Sequence, residues 1–271
     1  MTRAASAGML LLMTLTVAAC NSNERQLLGQ AEARWREGNY EDAIRLNTLL
    51  YERDRQGKYA ARAMLNVANI YYLNLRQLRK AIEWYEKIVD EAPGRDEEFA
   101  ARKQLAAIYD ATGDLTRAIL QYDKLLEMKS LENREEILFA RATAYFKQDD
   151  LNRALRELQR LEEGGISGHL QDQVCLKIGS IYQIQHKYAD AEGHFQRVSQ
   201  AGCRECRRQA ILNLAQTYEA LYDFDRAIAT IRRLDPGPEN EQFISNEVAR
   251  LRDKRKRVDT GPVPLWDMTH R

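Results

Sequence analysis

The sequence has little proline and no excess of charge of either sign. Its 271 residues include five prolines and 14 glycines, so long loops are not expected. Forty-one basic residues against 40 acidic ones give a formal net charge of +1. This balance argues against the concentrated basic surface that a nucleic-acid partner requires. The one basic run, Arg250 to Arg257, is interpreted as a solvated final helix turn, with a contact to acidic lipid or an acidic partner as the alternative.

Patterns that carry chemistry are also missing. None of the four histidines stands at metal-ligand spacing from a cysteine or carboxylate. The segment 164–168 is glycine-rich, but it follows a helical pattern and no lysine–serine or lysine–threonine pair comes after it, so it is not a phosphate loop. No serine lies in a nucleophile-elbow context. We therefore predict no enzymatic activity, no catalytic residue, no cofactor, no metal and no small-molecule substrate.

The first twenty residues have the pattern of a targeting segment. Arg3 is the only charged residue before a short apolar stretch centred on residues 9–13, and a membrane span needs about 20 apolar residues. The stretch ends in Val17-Ala18-Ala19-Cys20, which resembles the lipobox of bacterial lipoproteins. The resemblance implies a signal peptide over 1–19 and acylation of Cys20, with palmitate among the chains.

Residues 20–23 would then be the lipidated N-terminus and a short linker. Asn21 follows the cysteine, where aspartate usually signals inner-membrane retention. By that resemblance the protein is anchored to the outer membrane and faces the periplasm. An ordinary cleaved signal with a chance cysteine is the alternative.

A pattern repeated six times fills residues 24–235. Copies three to six have a small residue, an aromatic residue three positions later, an alanine nine further on, and bulky apolar residues four and seven beyond that, and the first two copies are less regular. The third copy shows it in Ala106, Tyr109, Ala118, Tyr122 and Leu125. Steps of three and four residues place side chains on one helical face, so each copy predicts two antiparallel helices joined by a polar turn.

Successive alanines of the predicted second helices are 38, 37, 36, 37 and 36 residues apart. They are Ala43, Ala81, Ala118, Ala154, Ala191 and Ala227. The second copy has one extra residue in its turn, and the first has the polar Asn47 in a bulky apolar position. The pattern resembles the tetratricopeptide repeat, whose usual period is about 34 residues. The closest local match is the segment 38–44.

The resemblance implies an all-α fold, a right-handed superhelical solenoid of about six helical hairpins that binds other proteins. After the segment 236–238, residues 239–257 are predicted to form a capping helix, because an end repeat would otherwise leave its apolar face wet. Residues 258–271 are predicted to be a flexible tail, with Trp266 either disordered or a docking residue.

Cys203 and Cys206 form a CxxC pair just before the sixth copy. In an oxidising periplasm, a disulfide that braces the link is the first interpretation. Free thiols, or pairing with Cys175, are the alternatives. A redox-active pair is a further alternative, since a thiolate near a helix N-terminus has a lowered pKa, although the strands of a thioredoxin-like context are missing.

The family resemblance also implies a concave surface lined by the first helix of each hairpin. The residues expected to point into it from the first helices are Asn69, Tyr72, Lys103, Asp110, Phe139, Thr143, Phe146, Gln183, Gln216 and Glu219. Tyr72, Phe139 and Phe146 are the expected aromatic anchors. The alternative is that some of these residues only pack between hairpins.

A lipobox ahead of helical repeats is similar to two kinds of outer-membrane accessory lipoprotein, the barrel-assembly protein BamD and the pilotins of type IV pilus secretins. The run 57–72 is similar to the BamD kind, whereas six repeats fit the pilotins better. We predict a lipid-anchored periplasmic scaffold that binds protein partners and supports assembly of an outer-membrane or envelope complex. The alternatives are a thiol-redox protein acting through Cys203 and Cys206, and a soluble adaptor without lipidation.

Overall fold

The computed structural model describes residues 23–128, 133–235 and 237–260, and within these ranges the chain forms helices and turns without a strand. The helices are α1 (23–36), α2 (Tyr40–Arg53), α3 (Ala60–Asn69), α4 (Leu78–Glu91), α5 (Asp96–Thr112), α6 (Leu115–Glu127), α7 (Arg134–Lys147), α8 (Leu151–Glu163), α9 (Gly168–Ile184), α10 (Tyr188–Ala201), α11 (Arg204–Ala220), α12 (Phe224–Ile231) and α13 (Pro238–Thr260). The proposed signal peptide, Cys20 and Trp266 lie outside the described residues.

The chain divides into two compact units, Met1–Leu131 and Glu132–Arg271. In the first unit, each helix from α2 to α6 packs against the next, and α3 also contacts α5. In the second unit, the helices from α7 to α13 pack in the same consecutive way, while α7 contacts α9 and α9 contacts α11. Helical hairpins therefore stack within each unit, as the repeat predicts, and the predicted all-α hairpin architecture is confirmed.

The repeated alanines of the second helices lie in the core. All six second-helix alanines are fully buried: Ala43, Ala81, Ala118, Ala154, Ala191 and Ala227. The bulky residue four positions later is buried in five hairpins: Tyr85, Tyr122, Leu158, Phe195 and Ile231. The spacing therefore produces one apolar stripe on each second helix, and burial of that stripe is the main stabilising contribution to each hairpin.

A residue in the left-handed region separates the two helices of each described hairpin. The φ angle lies between 54° and 83° at Gly38, Arg76, Gly113, Asp149, His186 and Tyr222. Glycine adopts this conformation without steric cost, whereas the other side chains are strained there. The tight reversal thus recurs even where the sequence offers no glycine.

Three of these turns are followed by the same aspartate–arginine pair. The carboxylates of Asp114, Asp150 and Asp223 accept hydrogen bonds from the backbone N–H three residues later, at 3.1, 3.0 and 3.0 Å. The arginines at those positions lie 4.3, 5.6 and 4.5 Å from the centroid of a first-helix tyrosine ring. One motif therefore caps the second helix and attaches it to the first through a cation–π contact.

The extra residue of the second copy is absorbed by a change of helix type. The helix α3 continues as a π-helical turn over Ile70–Asn74. Within this turn the N–H of Leu75 donates to the carbonyl of Ile70, five residues earlier, at 3.0 Å. A π turn accommodates one inserted residue, so the alanines on either side keep their facing positions.

The last helix is longer than predicted. It spans Pro238–Thr260 rather than 239–257, so residues 258–260 are helical and do not belong to a flexible tail. Its Val248 and Leu251 pack into the core cluster formed with α10, α11 and α12. None of the helices in the described ranges is both long and apolar enough to cross a membrane.

Candidate functional site

In the first unit, the predicted partner-binding residues lie on the first helices α3 and α5 and in the adjoining π turn. Lys103 is exposed, while Tyr72 and Asp110 are half-buried. Asn69 has an internal role, because its Oδ1 accepts a hydrogen bond from the hydroxyl of Tyr85 at 2.6 Å. Of the predicted residues in this unit, Lys103 and Tyr72 therefore keep a cation and part of an aromatic ring accessible to solvent.

In the second unit, Phe139, Thr143 and Phe146 lie along one face of α7, at steps of four and three residues. Both rings are half-buried and pack against the core cluster shared by α7, α8 and α9. The ammonium group of Lys177, on α9, lies 4.7 Å from the centroid of the Phe146 ring. The Thr143 hydroxyl is buried without a hydrogen-bond partner among the described residues. This face therefore combines aromatic area with a positive charge.

Two glutamines continue this set on α9 and α11. The side-chain amide of Gln183 donates to the hydroxyl of Thr217 at 3.4 Å, which joins the two helices. Gln216 is exposed and lines a cleft of about 400 Å³ between α11 and α13. Gln183 thus serves packing between hairpins, while Gln216 is open to a partner. Together, Phe139, Thr143, Phe146 and Gln216 are called the first-helix face of the second unit.

The last predicted residue, Glu219, is bound by the terminal helix of its own chain. Its two carboxylate oxygens accept hydrogen bonds from Arg250 at 2.8 and 2.7 Å, and one of them also accepts from Lys254 at 2.8 Å. These bonds, with Arg250 the larger influence, lower the pKa of Glu219 to about 2. Part of the basic run that was interpreted as solvated is therefore used to hold α13 against α11.

The structure places the three remaining cysteines as free thiols, and it brings a histidine to two of them. His169 lies in the first turn of α9, and its Nδ1 is 3.5 Å from Cys203 Sγ and 3.4 Å from Cys206 Sγ. His169 and Cys206 are 37 residues apart in the sequence, so the fold brings them together although their spacing is not that of a metal motif. The pairing of Cys175 with either cysteine is not seen, since Cys175 lies beside Glu162 instead, with Sγ 3.7 Å from Oε1.

The environments of Cys203 and Cys206 differ. Cys203 precedes α11, and hydrogen bonds from Cys206, first from its thiol and then from its backbone N–H, lower the pKa of Cys203. Burial raises the pKa of the Cys206 thiol to about 12. Cys203 is thus the sulfur that ionises first, whereas Cys206 belongs to a core cluster with Val198 and Ala210.

The sequence and the fold were compared with known proteins. A family model described as "Tetratricopeptide repeat" matches residues 28–96, which run from α1 into α5. No curated protein matches the sequence. A tetratricopeptide repeat protein from Parabacteroides merdae is 16% identical, with a TM-score of 0.59 over 86% of this chain and 92% of that chain. The fold is that of tetratricopeptide-repeat proteins.

Two further solved structures share it. The Pseudomonas aeruginosa protein pilF is 14% identical, with a TM-score of 0.53 over 84% of this chain and 98% of that chain. YrrB, described as a tetratricopeptide protein with an unusual peptide-binding site, is 17% identical, with a TM-score of 0.53 over 74% of this chain and 97% of that chain. Tetratricopeptide folds typically serve as non-catalytic scaffolds for protein–protein interaction, which agrees with the exposed first-helix residues of both units.

Acidification is expected to release the contact of Glu219 with α13. The folded pKa of this carboxyl lies near 2, below its ordinary value of 4.5, so its contribution is present above pH 4.5 and is lost as pH falls from 4.5 towards 2. Both cations are about half exposed, at 48% and 50%, so screening reduces the contribution to about 1–2 kcal/mol. Glu219→Gln should lose the same amount at neutral pH, measured by hydrogen exchange of α13.

The control is Asp253→Asn, which removes an ion pair with Arg257 whose side chains are 58% and 79% exposed. Exposed pairs within a helix contribute about 0.3–0.5 kcal/mol, so exchange of α13 should change little. Two results would contradict the role given to Glu219. One is an equal effect of the two substitutions, and the other is a protection of α13 against hydrogen exchange, relative to the intrinsic rate, that does not fall below pH 4.5.

Proposed function

We propose that this protein is a lipid-anchored scaffold on the periplasmic face of the outer membrane, which binds protein partners and supports assembly of an envelope complex. The observation that carries the binding part is the accessible set of aromatic and polar groups on the first helices of stacked tetratricopeptide hairpins. The anchoring part rests on the lipobox-like run 17–20. Dual or triple acylation would give stable anchoring, whereas one chain is marginal.

The likeness to a peptide-binding neighbour supports the mode of binding. YrrB has an unusual peptide-binding site within a tetratricopeptide fold. In this chain, Phe139 and Phe146 keep part of each ring accessible, and Lys177 places a positive charge beside Phe146. Aromatic residues that are half-buried before binding lose little side-chain freedom on binding, which suits them as anchors for an extended segment of a partner.

Partner capture is expected to fall when both aromatic anchors are removed. Tyr72→Ala combined with Phe146→Ala should reduce the amount of protein captured in a crosslinked pull-down from the outer-membrane fraction by about tenfold or more, since losing even one anchor costs about 2 kcal/mol, or about 30-fold in affinity. The matched control is Leu120→Ala, because Leu120 is 51% exposed on the second helix α6 and is not one of the predicted partner-binding residues.

A second variant, which changes a charge, distinguishes lost binding from partial unfolding caused by removal of the Phe146 ring. Lys103→Glu changes an exposed side chain, so the fold is retained, and it should weaken capture if the first-helix residues of the first unit contact the partner. If both variants capture as much partner protein as the Leu120→Ala control does, binding through these first-helix residues is contradicted.

Anchoring is tested separately. Cys20→Ser should move the protein from the membrane fraction to the periplasmic fraction while leaving its helical content unchanged. A wild-type protein that is already found in the periplasmic extract and carries no lipid by mass spectrometry would contradict the anchor and favour a soluble adaptor.

A further inference from the structure

His169, Cys203 and Cys206 form a cluster of potential metal ligands that the proposed scaffold role does not use. The three ligand atoms, one imidazole nitrogen and two sulfurs, all lie within 4.8 Å of one another. Cys206 is buried, Cys203 is half-buried and His169 is exposed. The Nδ1 of the exposed His169 lies within hydrogen-bond distance of both sulfurs.

The distances fit the edges of a tetrahedral metal site. Zinc binds thiolate sulfur at about 2.3 Å and imidazole nitrogen at about 2.0–2.1 Å, which separates a sulfur and a nitrogen ligand by about 3.6 Å in tetrahedral geometry. The Nδ1 of His169 lies 3.5 Å from one sulfur and 3.4 Å from the other. The two sulfurs are not bonded to each other in the structure.

We infer that His169, Cys203 and Cys206 bind a thiophilic divalent ion of the Zn²⁺ class, with the fourth position open to solvent. Two thiolates and an imidazole are the ligands that such ions prefer over the carboxylate and carbonyl oxygens selected by Mg²⁺ or Ca²⁺. Binding releases the protons of both thiols to solvent, since the thiolate is the ligand form. The ion would join the first turn of α9 to the start of α11.

Neighbouring groups hold the ligands in place. The backbone N–H of Cys206 donates to Cys203 Sγ at 3.1 Å, and the backbone N–H of Cys203 donates to the carboxylate of Asp172 at 2.8 Å. Asp172 is one helical turn beyond His169 on α9, so the same helix positions the imidazole and the segment that carries Cys203. The cluster therefore has support beyond the ligands themselves.

In a second group of similar composition, a side-chain cation already occupies the carboxylate. Glu162, Cys175 and His194 also bring their ligand atoms within 4.8 Å of one another. However, the guanidinium of Arg197 lies 2.6 Å from Glu162 Oε1, so a positive charge already occupies that carboxylate. This group provides an internal control for the metal site.

Cobalt binding to the reduced full-length protein tests the inference. One equivalent of Co²⁺ should produce thiolate-to-metal charge-transfer absorption, and one equivalent of Zn²⁺ should abolish it. Losing even an outer hydrogen-bond partner of a metal ligand typically costs about 10–100-fold in affinity, so His169→Ala should weaken Co²⁺ binding at least that much. Cys203→Ser should remove most of the charge-transfer absorption.

The matched controls are His186→Ala, an exposed histidine in a turn, and Cys175→Ser, from the second group. Both should bind Co²⁺ like the wild type, and circular dichroism should show that every variant is folded. No charge-transfer absorption in the reduced wild type would overturn the inference, as would wild-type affinity in His169→Ala. Isolation of the wild type with a Cys203–Cys206 disulfide and without bound metal would also overturn it.

Discussion

Replacing Phe195 with alanine is expected to lower the free energy of unfolding of the second unit by about 3–5 kcal/mol. The Phe195 side chain is fully buried on α10, in a core cluster that also includes Leu214 and Tyr218 of α11. Truncation removes the transfer free energy of the ring and leaves a cavity that the neighbouring helices close only in part. Hydrogen exchange of the amides of α9, α10 and α11 would measure the loss in this unit.

A double-mutant cycle with Gly179 tests whether this packing is as close as the structure shows. A Cβ atom at Gly179 would lie 2.6 Å from Cε1 of Phe195, closer than van der Waals contact permits. Gly179→Ala alone should therefore cost about 1–3 kcal/mol by overpacking. In the Phe195→Ala background the same methyl group enters the new cavity, so its cost should vanish, with a coupling of about 1–3 kcal/mol between the sites.

The control for backbone effects is Gly193→Ala on α10. Gly193 is exposed, and no atom lies within 4 Å of a Cβ built there. Alanine is favoured over glycine in helices by about 0.8–1.0 kcal/mol, so this change should stabilise the unit slightly in both backgrounds. Costs of Gly179→Ala and Phe195→Ala that simply add would contradict direct contact between the two positions.

The spacing of small and bulky residues predicted the hairpins because helix geometry converts steps of three, four and nine residues into facing side chains. It could not show that Gly179 is required where other copies have alanine. Tyr85 and Tyr122 occupy the position of Phe195 in copies that have Ala68 and Ala106 in place of Gly179, so a large ring does not by itself demand glycine. The requirement follows from where the Phe195 ring lies, since a Cβ at Gly179 would be 2.6 Å from its Cε1.

The cysteine–histidine cluster was missed for a different reason. Short-range spacing in the sequence does not reveal it, because residues about one repeat apart become neighbours when hairpins stack. His169 and Cys206 are 37 residues apart, and Glu219 and Lys254 are 35 apart. Both separations are close to the repeat period, so the stacking of successive hairpins accounts for both contacts.

Removing one member of the buried Asn47–Asn66 pair is expected to destabilise the first unit by about 1–3 kcal/mol. Asn47 is fully buried on α2, where the other copies have a bulky apolar residue, and its amide donates to the carbonyl of Ala43 at 2.8 Å. Its Oδ1 accepts a hydrogen bond from Asn66 of α3 at 3.3 Å. Asn66→Ala leaves the Oδ1 of Asn47 buried without this donor. The loss of stability is then the free energy of removing that oxygen from water, which the hydrogen bond no longer offsets.

The double substitution Asn47→Leu with Asn66→Leu should behave differently. Replacing both partners by apolar groups of similar shape leaves no orphaned donor or acceptor between them, so the double variant should be close to the wild type or more stable. Each single leucine variant should be less stable than the double. Urea unfolding followed by the fluorescence of Trp35 and Trp84, both in this unit, measures the differences in a Trp266→Phe background.

A double variant less stable than either single variant would contradict the assignment of the pair as a mutually satisfied polar contact. The expected result has a further consequence. If two leucines stabilise the unit, then the asparagines are not retained for stability. The remaining physical role is registry, because only one alignment of α2 against α3 brings Asn47 and Asn66 within hydrogen-bond distance, whereas apolar faces can slide. A loss of sharp amide signals in α2 of the more stable double variant would then be the evidence for that role.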